Sequence, residues 1–88
     1  MKLARVTGSV TATAKDAQLT GQKLLVCDVV DGKGKVTEPA VVAADTVGAG
    51  SGDLVLIVTG SAARLPAGTS GMPVDAAVTA IVDSVDIA

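Results

Sequence analysis

The 88-residue chain is long enough for one domain around one core, and a domain of that size buries only about 60 to 65% of the surface its unfolded chain exposes. It is 49% apolar yet contains no Phe, Tyr, Trp or His, so its core must be built from Val, Ala, Leu and Ile, each burying little, and added burial between subunits is expected. A net charge of -2 excludes the basic footprint by which proteins neutralise nucleic-acid phosphates.

From Ala4 to Thr13 apolar and polar residues alternate, with Ala4, Val6, Gly8, Val10 and Ala12 on one side and Arg5, Thr7, Ser9, Thr11 and Thr13 on the other. That is the period of a half-buried strand, and Gly8 on the apolar side marks a place where the strand bends or another backbone approaches. Lys15 to Gly21 is polar and reads as a loop with Leu19 as its apolar anchor. Lys23 to Val30 is apolar on both alternating sides except at Asp28, a pattern that predicts a strand with one face on the core and the other on a neighbour. The only cysteine, Cys27, lies inside this run and is expected to be a buried, inert thiol.

Asp31-Gly32-Lys33-Gly34-Lys35 is a hairpin turn of the Asp-Gly type, in which glycine supplies positive φ. A third strand is predicted over about Ala40 to Val47, then a tight connection at Gly48-Ala49-Gly50-Ser51-Gly52, then the most hydrophobic strand, Asp53 to Thr59. Gly60 to Leu65 predicts a short helix capped by Ser61 and stopped by Pro66, and Pro66 to Pro73 a mobile loop. In the last segment Val74 to Val78 has a helical option, while Thr79 to Val85 is richer in β-branched residues and predicts a closing strand. Short strands, Gly-rich turns and one brief helix together point to a single, mainly all-β domain over residues 1–88, a small closed or partly closed barrel.

Chemistry has few footholds here. Without His, acid–base work at neutral pH falls to a carboxylate or lysine of shifted pKa, and metal binding lacks its commonest ligand. Asp45, Asp53, Asp75 and Asp83 stand near predicted strand ends, where Asp ordinarily bonds local backbone. The Gly48 to Gly52 run resembles a phosphate-binding loop only in composition, because a strand follows it and no Gly-Lys-Ser/Thr is present. Ser61 to Arg64 lacks the lysine of a Ser-x-x-Lys nucleophile. The alternative reading is a small binding module of the oligonucleotide-binding type, for nucleic acid or another ligand; such barrels use aromatic platforms and a basic groove, and this chain has neither. Arg64 carries a planar fork suited to an acidic partner across an interface. No apolar run approaches the roughly 20 residues needed to span a bilayer, and Met1 to Arg5 lacks a secretory h-region, so a cytosolic protein with no membrane partner is expected.

Several segments in order resemble the ethanolamine-utilisation and carboxysome vertex proteins, small pentameric shell subunits of bacterial microcompartments. They are Met1-Lys2-Leu3 with Val6-x-Gly8-x-Val10-x-Ala12-Thr13; Gly21-x-Lys23-Leu24-Leu25-Val26; Asp45-x-Val47-Gly48-Ala49-Gly50-x-Gly52 with Val55-Leu56; Gly60-Ser61-Ala62-Ala63-Arg64; and Pro73-Val74-Asp75-Ala76-Ala77-Val78 with Ile81-Val82-Asp83-Ser84-Val85. Ala62 and Ala80 stand where the family often has Ser and Gly, both exchanges between small residues. The resemblance implies a five-stranded barrel of oligonucleotide-binding (OB-like) topology with one short helix, assembling as a cyclic homopentamer that closes the corners of a shell tiled by hexameric shell proteins in the bacterial cytoplasm. It implies neither catalysis nor a cofactor. It also suggests that Gly48, Ala49, Gly50 and Gly52, and Gly60, Ser61 and Arg64, lie at or near subunit contacts, with Asp75 and Asp83 as further candidates. Gly50 is expected to need positive φ, so that a bulky residue there would disturb the ring or the barrel.

Overall fold

The computed structural model describes residues 1–12, 17–19, 21–66, 69 and 73–87. Thr13 to Asp16, Thr20 and most of the expected Pro66 to Pro73 loop lie outside the described residues. Strands β1 (Lys2–Val10), β2 (Leu24–Val30), β3 (Val36–Asp45), β4 (Leu54–Thr59) and β5 (Ala76–Ile81) are joined by 3-10 turns at Ala17–Leu19 and Gly60–Arg64. They close into a barrel in the order β1-β2-β3-β5-β4, with β4 returning to β1. Every pairing is antiparallel except a short parallel contact of β3 with β5, Ala44 opposite Ala77 and Asp45 opposite Val78. Closure satisfies ladder groups that an open sheet would leave at its edges.

The lumen of so small a barrel admits only small side chains. Ala4, Val6, Leu25, Cys27, Val29, Ala43, Ala49, Val55, Ile57, Ala76 and Val78 fill it, which accounts for a core without a single aromatic ring. On β2 the residues Leu25, Cys27 and Val29 are buried while Leu24, Val26 and Val30 are half-buried on the outside. The two-faced apolar strand read from the sequence is therefore real, and its outer row is left as greasy surface.

Three irregularities bend the strands around this lumen. The register of β1 against β2 shifts between Val6, opposite Cys27, and Gly8, opposite Val26. One extra residue reverses the facing of everything after it. Only Ala4 and Val6 of the alternating set point inward, and Gly8 and Val10 follow Val26 and Leu24 onto the outside, contrary to the simple alternation. The second irregularity is in β3, which gains residues against β2 beyond Cys27. There Ala40 adopts φ 57 and its amide donates to Asp28 Oδ1 at 3.0 Å. Asp28, the polar exception in an apolar run, is thus a staple for the bulge. The third is a shift between Leu56 and Ile57 in the pairing of β4 with β5.

Element limits differ from the sequence reading for local reasons. Strand β3 begins at Val36, four residues before the expected start, because its first half is polar, exposed and paired with β2 alone. That free edge is blunted by Glu38 and by Pro39, which has no N–H to offer. In the hairpin turn the positive φ, 87°, falls on Gly34 and not on Gly32, and Asp31 Oδ1 accepts from the amides of Lys33 and Lys35 at 2.8 and 3.0 Å. The final strand starts at Ala76 and ends at Ile81, so neither the helical option at Val74 to Val78 nor a strand reaching Val85 holds. Ala76, Ala77 and Val78 are all buried there, where β5 sits between β4 and β3. The helix read at Gly60 is a 3-10 turn whose N-cap is Thr59, with no side-chain cap bond, and Ser61 is exposed within it. Thr69, inside the loop expected to be mobile, is fully buried, and its amide and hydroxyl both donate to the Pro66 carbonyl.

Two outcomes follow from this packing. Ala40→Gly relieves a left-handed alanine and is expected to stabilise the fold by about 0.5–1 kcal/mol in denaturant titration. Cys27 is fully buried, and burial first, then the carboxylates of Asp28 and Asp45, push its thiol above the ordinary value of 9.0. The native state holds the neutral thiol, so the unfolded chain ionises first and stability falls as pH rises through 9.0. Denaturation midpoints of the parent should drop more steeply across that pH than those of Cys27→Ala, and parallel curves would contradict this.

Candidate subunit interface

The loop from Asp45 to Asp53 is held by two carboxylates acting on backbone. Asp45 Oδ1 accepts from the amides of Val47, Gly48 and Ala49 at 3.1, 3.1 and 3.3 Å, and its side chain is only 2% exposed. Lys23 Nζ donates to the Ala49 carbonyl at 2.9 Å and stands 3.7 Å from Asp45 Oδ2. Asp53 Oδ2 accepts from the Gly50 amide at 2.8 Å. The Gly52 amide donates to the Val6 carbonyl at 2.8 Å, the Val6 amide to the Asp53 backbone carbonyl at 2.9 Å, and Arg5 donates to the Gly52 carbonyl at 3.0 Å. A phosphate-binding loop works by offering free amides to an anion. Here the amides of residues 47–50 are already given to Asp45 and Asp53, so the loop is a rigid surface feature and the two carboxylates are occupied with structure.

Gly48 and Gly52 carry positive φ of 78° and 91°, which explains their identity. Gly50 does not, and a β-carbon there would meet no described residue of its own chain within 4 Å. The expectation that Gly50 needs positive φ is therefore incorrect, and no steric demand of its own chain accounts for this glycine. Ala49 is fully buried and anchors the loop to the core instead of presenting a side chain outward.

The second group lies at the other end of β4. Gly60, at φ 68, donates its amide to the Asp75 carbonyl at 2.8 Å, tying the 3-10 turn to the approach of β5. Ala63 is buried beneath the turn, while Ser61, Arg64 and Asp75 are exposed and Leu65 is 83% exposed. Among the described residues Arg64 has no ion-pair partner in its own chain. Asp83 belongs to the first end, because Val82 donates to the Leu54 carbonyl at 2.8 Å and brings it to the start of β4. The nine residues singled out in the sequence thus separate into two groups, Gly48 to Gly52 with Asp83, and Gly60 to Arg64 with Asp75, held apart by the β4–β5 ladder.

Sequence reasoning missed the exposed apolar residues that flank these groups. Val42, Val47 and Ile81 are 45%, 39% and 44% exposed. Their only signal is a β-branched residue on the outer side of a strand or turn, and assigning sides requires knowing where the bulges fall.

Comparison with known proteins decides the family. The family described as ethanolamine utilisation protein EutN/carboxysome matches residues 1–83. The chain belongs to the EutN/CcmL family. It is 47% identical to the carboxysome shell vertex protein CcmL of Synechocystis sp., over 100% of this chain and 88% of that protein. Its fold matches the structure of CcmL from Nostoc sp. PCC 7120 with a TM-score of 0.93 and 48% identity, covering 99% of this chain and 92% of that one. It also matches the pentameric microcompartment shell protein GrpN from Rhodospirillum rubrum, with a TM-score of 0.88 and 40% identity over 100% and 99% of the two chains. Both of these solved structures share the barrel fold over nearly the whole of this chain.

Asp45→Ala leaves three amides of the loop without their acceptor and is expected to cost about 2–3 kcal/mol, read as a lower denaturation midpoint. Asp45→Asn keeps an acceptor oxygen and should cost distinctly less. Equal losses for the two would show that the carboxylate's charge, and not its hydrogen-bonding geometry, holds the loop.

Proposed function

We propose that this chain is a structural shell subunit of a bacterial microcompartment, which assembles as a cyclic pentamer, occupies the five-fold vertices beside hexameric shell proteins, and has no catalytic role. The observation that carries this reading is the match over the whole of this chain to a carboxysome shell vertex protein in sequence and to a microcompartment shell protein named as pentameric in fold. The surface supports it. A closed ring needs a heterologous contact, in which one patch of each copy meets a different patch of the next. Two groups of residues at opposite ends of the rigid β4–β5 ladder supply such a pair, and Arg64, exposed and without an ion-pair partner among the described residues, is suited to an acidic group on a neighbour. Half-buried Leu24, Val26 and Leu56 on the outer barrel wall would gain burial on assembly. The rival reading, a binding barrel for single-stranded nucleic acid, lacks aromatic platforms and a basic groove.

Native mass spectrometry should give about 42 kDa, five times the 8.5 kDa chain, and a solitary 8.5 kDa species at micromolar concentration would overturn the proposal. Gly50→Val separates ring from barrel, because the substitution has room within its own chain. It should leave the circular dichroism spectrum of the barrel intact while lowering the pentamer fraction at least severalfold, and a full yield of pentamer would remove Gly50 from the interface.

A further inference from the structure

The last residues of the chain fold back over the turn between β2 and β3. Beyond Val82 the segment 83–87 belongs to no strand. Asp83, Ser84 and Val85 form one side of a groove whose other sides are Leu3 and Leu54 on the barrel wall and the turn from Asp31 to Gly34. Ile87 meets the turn itself: its Cδ1 lies 2.6 Å, and its Cγ1 3.8 Å, from the position a β-carbon on Gly32 would occupy. Carbon atoms in contact stand about 3.5–4.0 Å apart. The Ile87 side chain therefore sits in space that exists only because residue 32 is glycine. The turn does not itself require glycine there, since the left-handed position is Gly34 at φ 87 and Gly32 is not left-handed. The two glycines of one turn thus have different reasons for being there.

We infer that the C-terminal segment is a strap that braces the β2–β3 hairpin against the barrel wall, with Ile87 seated on Gly32 as its fastening. The hairpin needs such a brace. Over Val36–Ala40 strand β3 pairs only with β2 and is exposed throughout, and among the described residues its one ion pair to the rest of the barrel is the exposed contact of Glu38 with Lys2 at 3.2 Å, a weak tie in water. The strap ties the turn at the hairpin's tip to the wall formed by β1 and β4. Among the described residues the groove holds no ion pair, so the fastening is one of shape and apolar contact and should be insensitive to salt.

The inference goes beyond the assembly proposed above, and hydrogen exchange by mass spectrometry on the intact chain tests it separately. Ile87→Asp should raise exchange of the hairpin amides at residues 35–38 about fivefold, the scale expected from losing a partly buried isoleucine contact, while the β4 amides at residues 55–58 stay as protected as in the parent. Gly32→Val, acting from the other side of the same contact, should give the same pattern. In the double variant Gly32→Val with Ile87→Ala, the loss should be no greater than for Ile87→Ala alone, because the two act on one contact. Ile87 is 59% exposed and lies outside the strands and the core, so its replacement leaves the barrel folded, and Gly34→Val identifies damage to the turn itself. Hairpin exchange equal to the parent's in both single variants, or strictly additive effects in the double variant, would overturn the inference. Native mass measured on the same samples reports the ring independently: loosened hairpins within an intact pentamer support the strap, and a monomeric parent leaves the exchange result standing while refuting the ring.

Discussion

The narrowness of the barrel is the constraint from which the rest of the structure follows. Five strands enclose a lumen that Val and Ala fill together with Leu25, Cys27 and Ile57, and larger side chains would force the ladders apart. Small side chains bury little area each, so the core by itself gives a modest stabilisation against the cost of ordering the backbone. The chain answers in two ways. It closes the sheet, so that ladder hydrogen bonds run around the barrel, and it leaves apolar side chains such as Leu24, Val26 and Leu56 half-buried on the outer wall. A closed barrel with an apolar exterior is suited to further burial against copies of itself.

A second consequence concerns the acidic residues. Strands that wrap tightly need bulges and sharp turns, and each leaves backbone amides that no ladder partner reaches. Aspartate meets this need repeatedly: Asp28 on the amide of Ala40, Asp31 on Lys33 and Lys35, Asp45 on Val47, Gly48 and Ala49, and Asp53 on Gly50. A short carboxylate accepts several such bonds at once, and charge-assisted bonds are the stronger kind. Of the carboxylates that stand near strand ends in the sequence, Asp45 and Asp53 therefore act as staples, whereas Asp75 and Asp83 are exposed. Four of the chain's nine acidic residues thus serve its curvature.

What the sequence made legible was whatever depends on local pattern. The Val- and Leu-rich runs at Leu24–Val30 and Leu54–Thr59, the hairpin turn at Asp31 and the buried thiol of Cys27 all appear as read. The errors arise where tertiary structure overrides local preference. Nothing in Val6-Thr7-Gly8 announces that the pairing with β2 slips by one residue, yet that slip turns Gly8 and Val10 outward. Ala76 and Ala77 favour helix in isolation and become strand because β3 and β4 both pair with β5 there. Glycines are ambiguous in the same way. Gly48 and Gly52 are set by φ, whereas Gly32 is set by a side chain more than fifty positions away, and only coordinates distinguish these causes. Nothing in the sequence shows that the nine candidate interface residues divide between two ends of one ladder, a separation set by the pairing of β4 with β5.

For a shell subunit the relevant output is an angle. A ring closes at five copies only if the two contacting patches of each subunit are held at a fixed rotation to one another, and a small change in that rotation favours another ring size. In the proposed assembly the patches are joined through β4, a six-residue strand paired with β1 on one side and β5 on the other, which is stiff compared with any loop. At one end Asp45 and Asp53 immobilise the glycine-rich loop; at the other the bond from Gly60 to Asp75 pins the 3-10 turn. Catalysis tolerates a mobile loop and often needs one. Here both surface groups are locked by hydrogen bonds to the barrel that separates them, an economy of motion that suits a part whose shape is its activity.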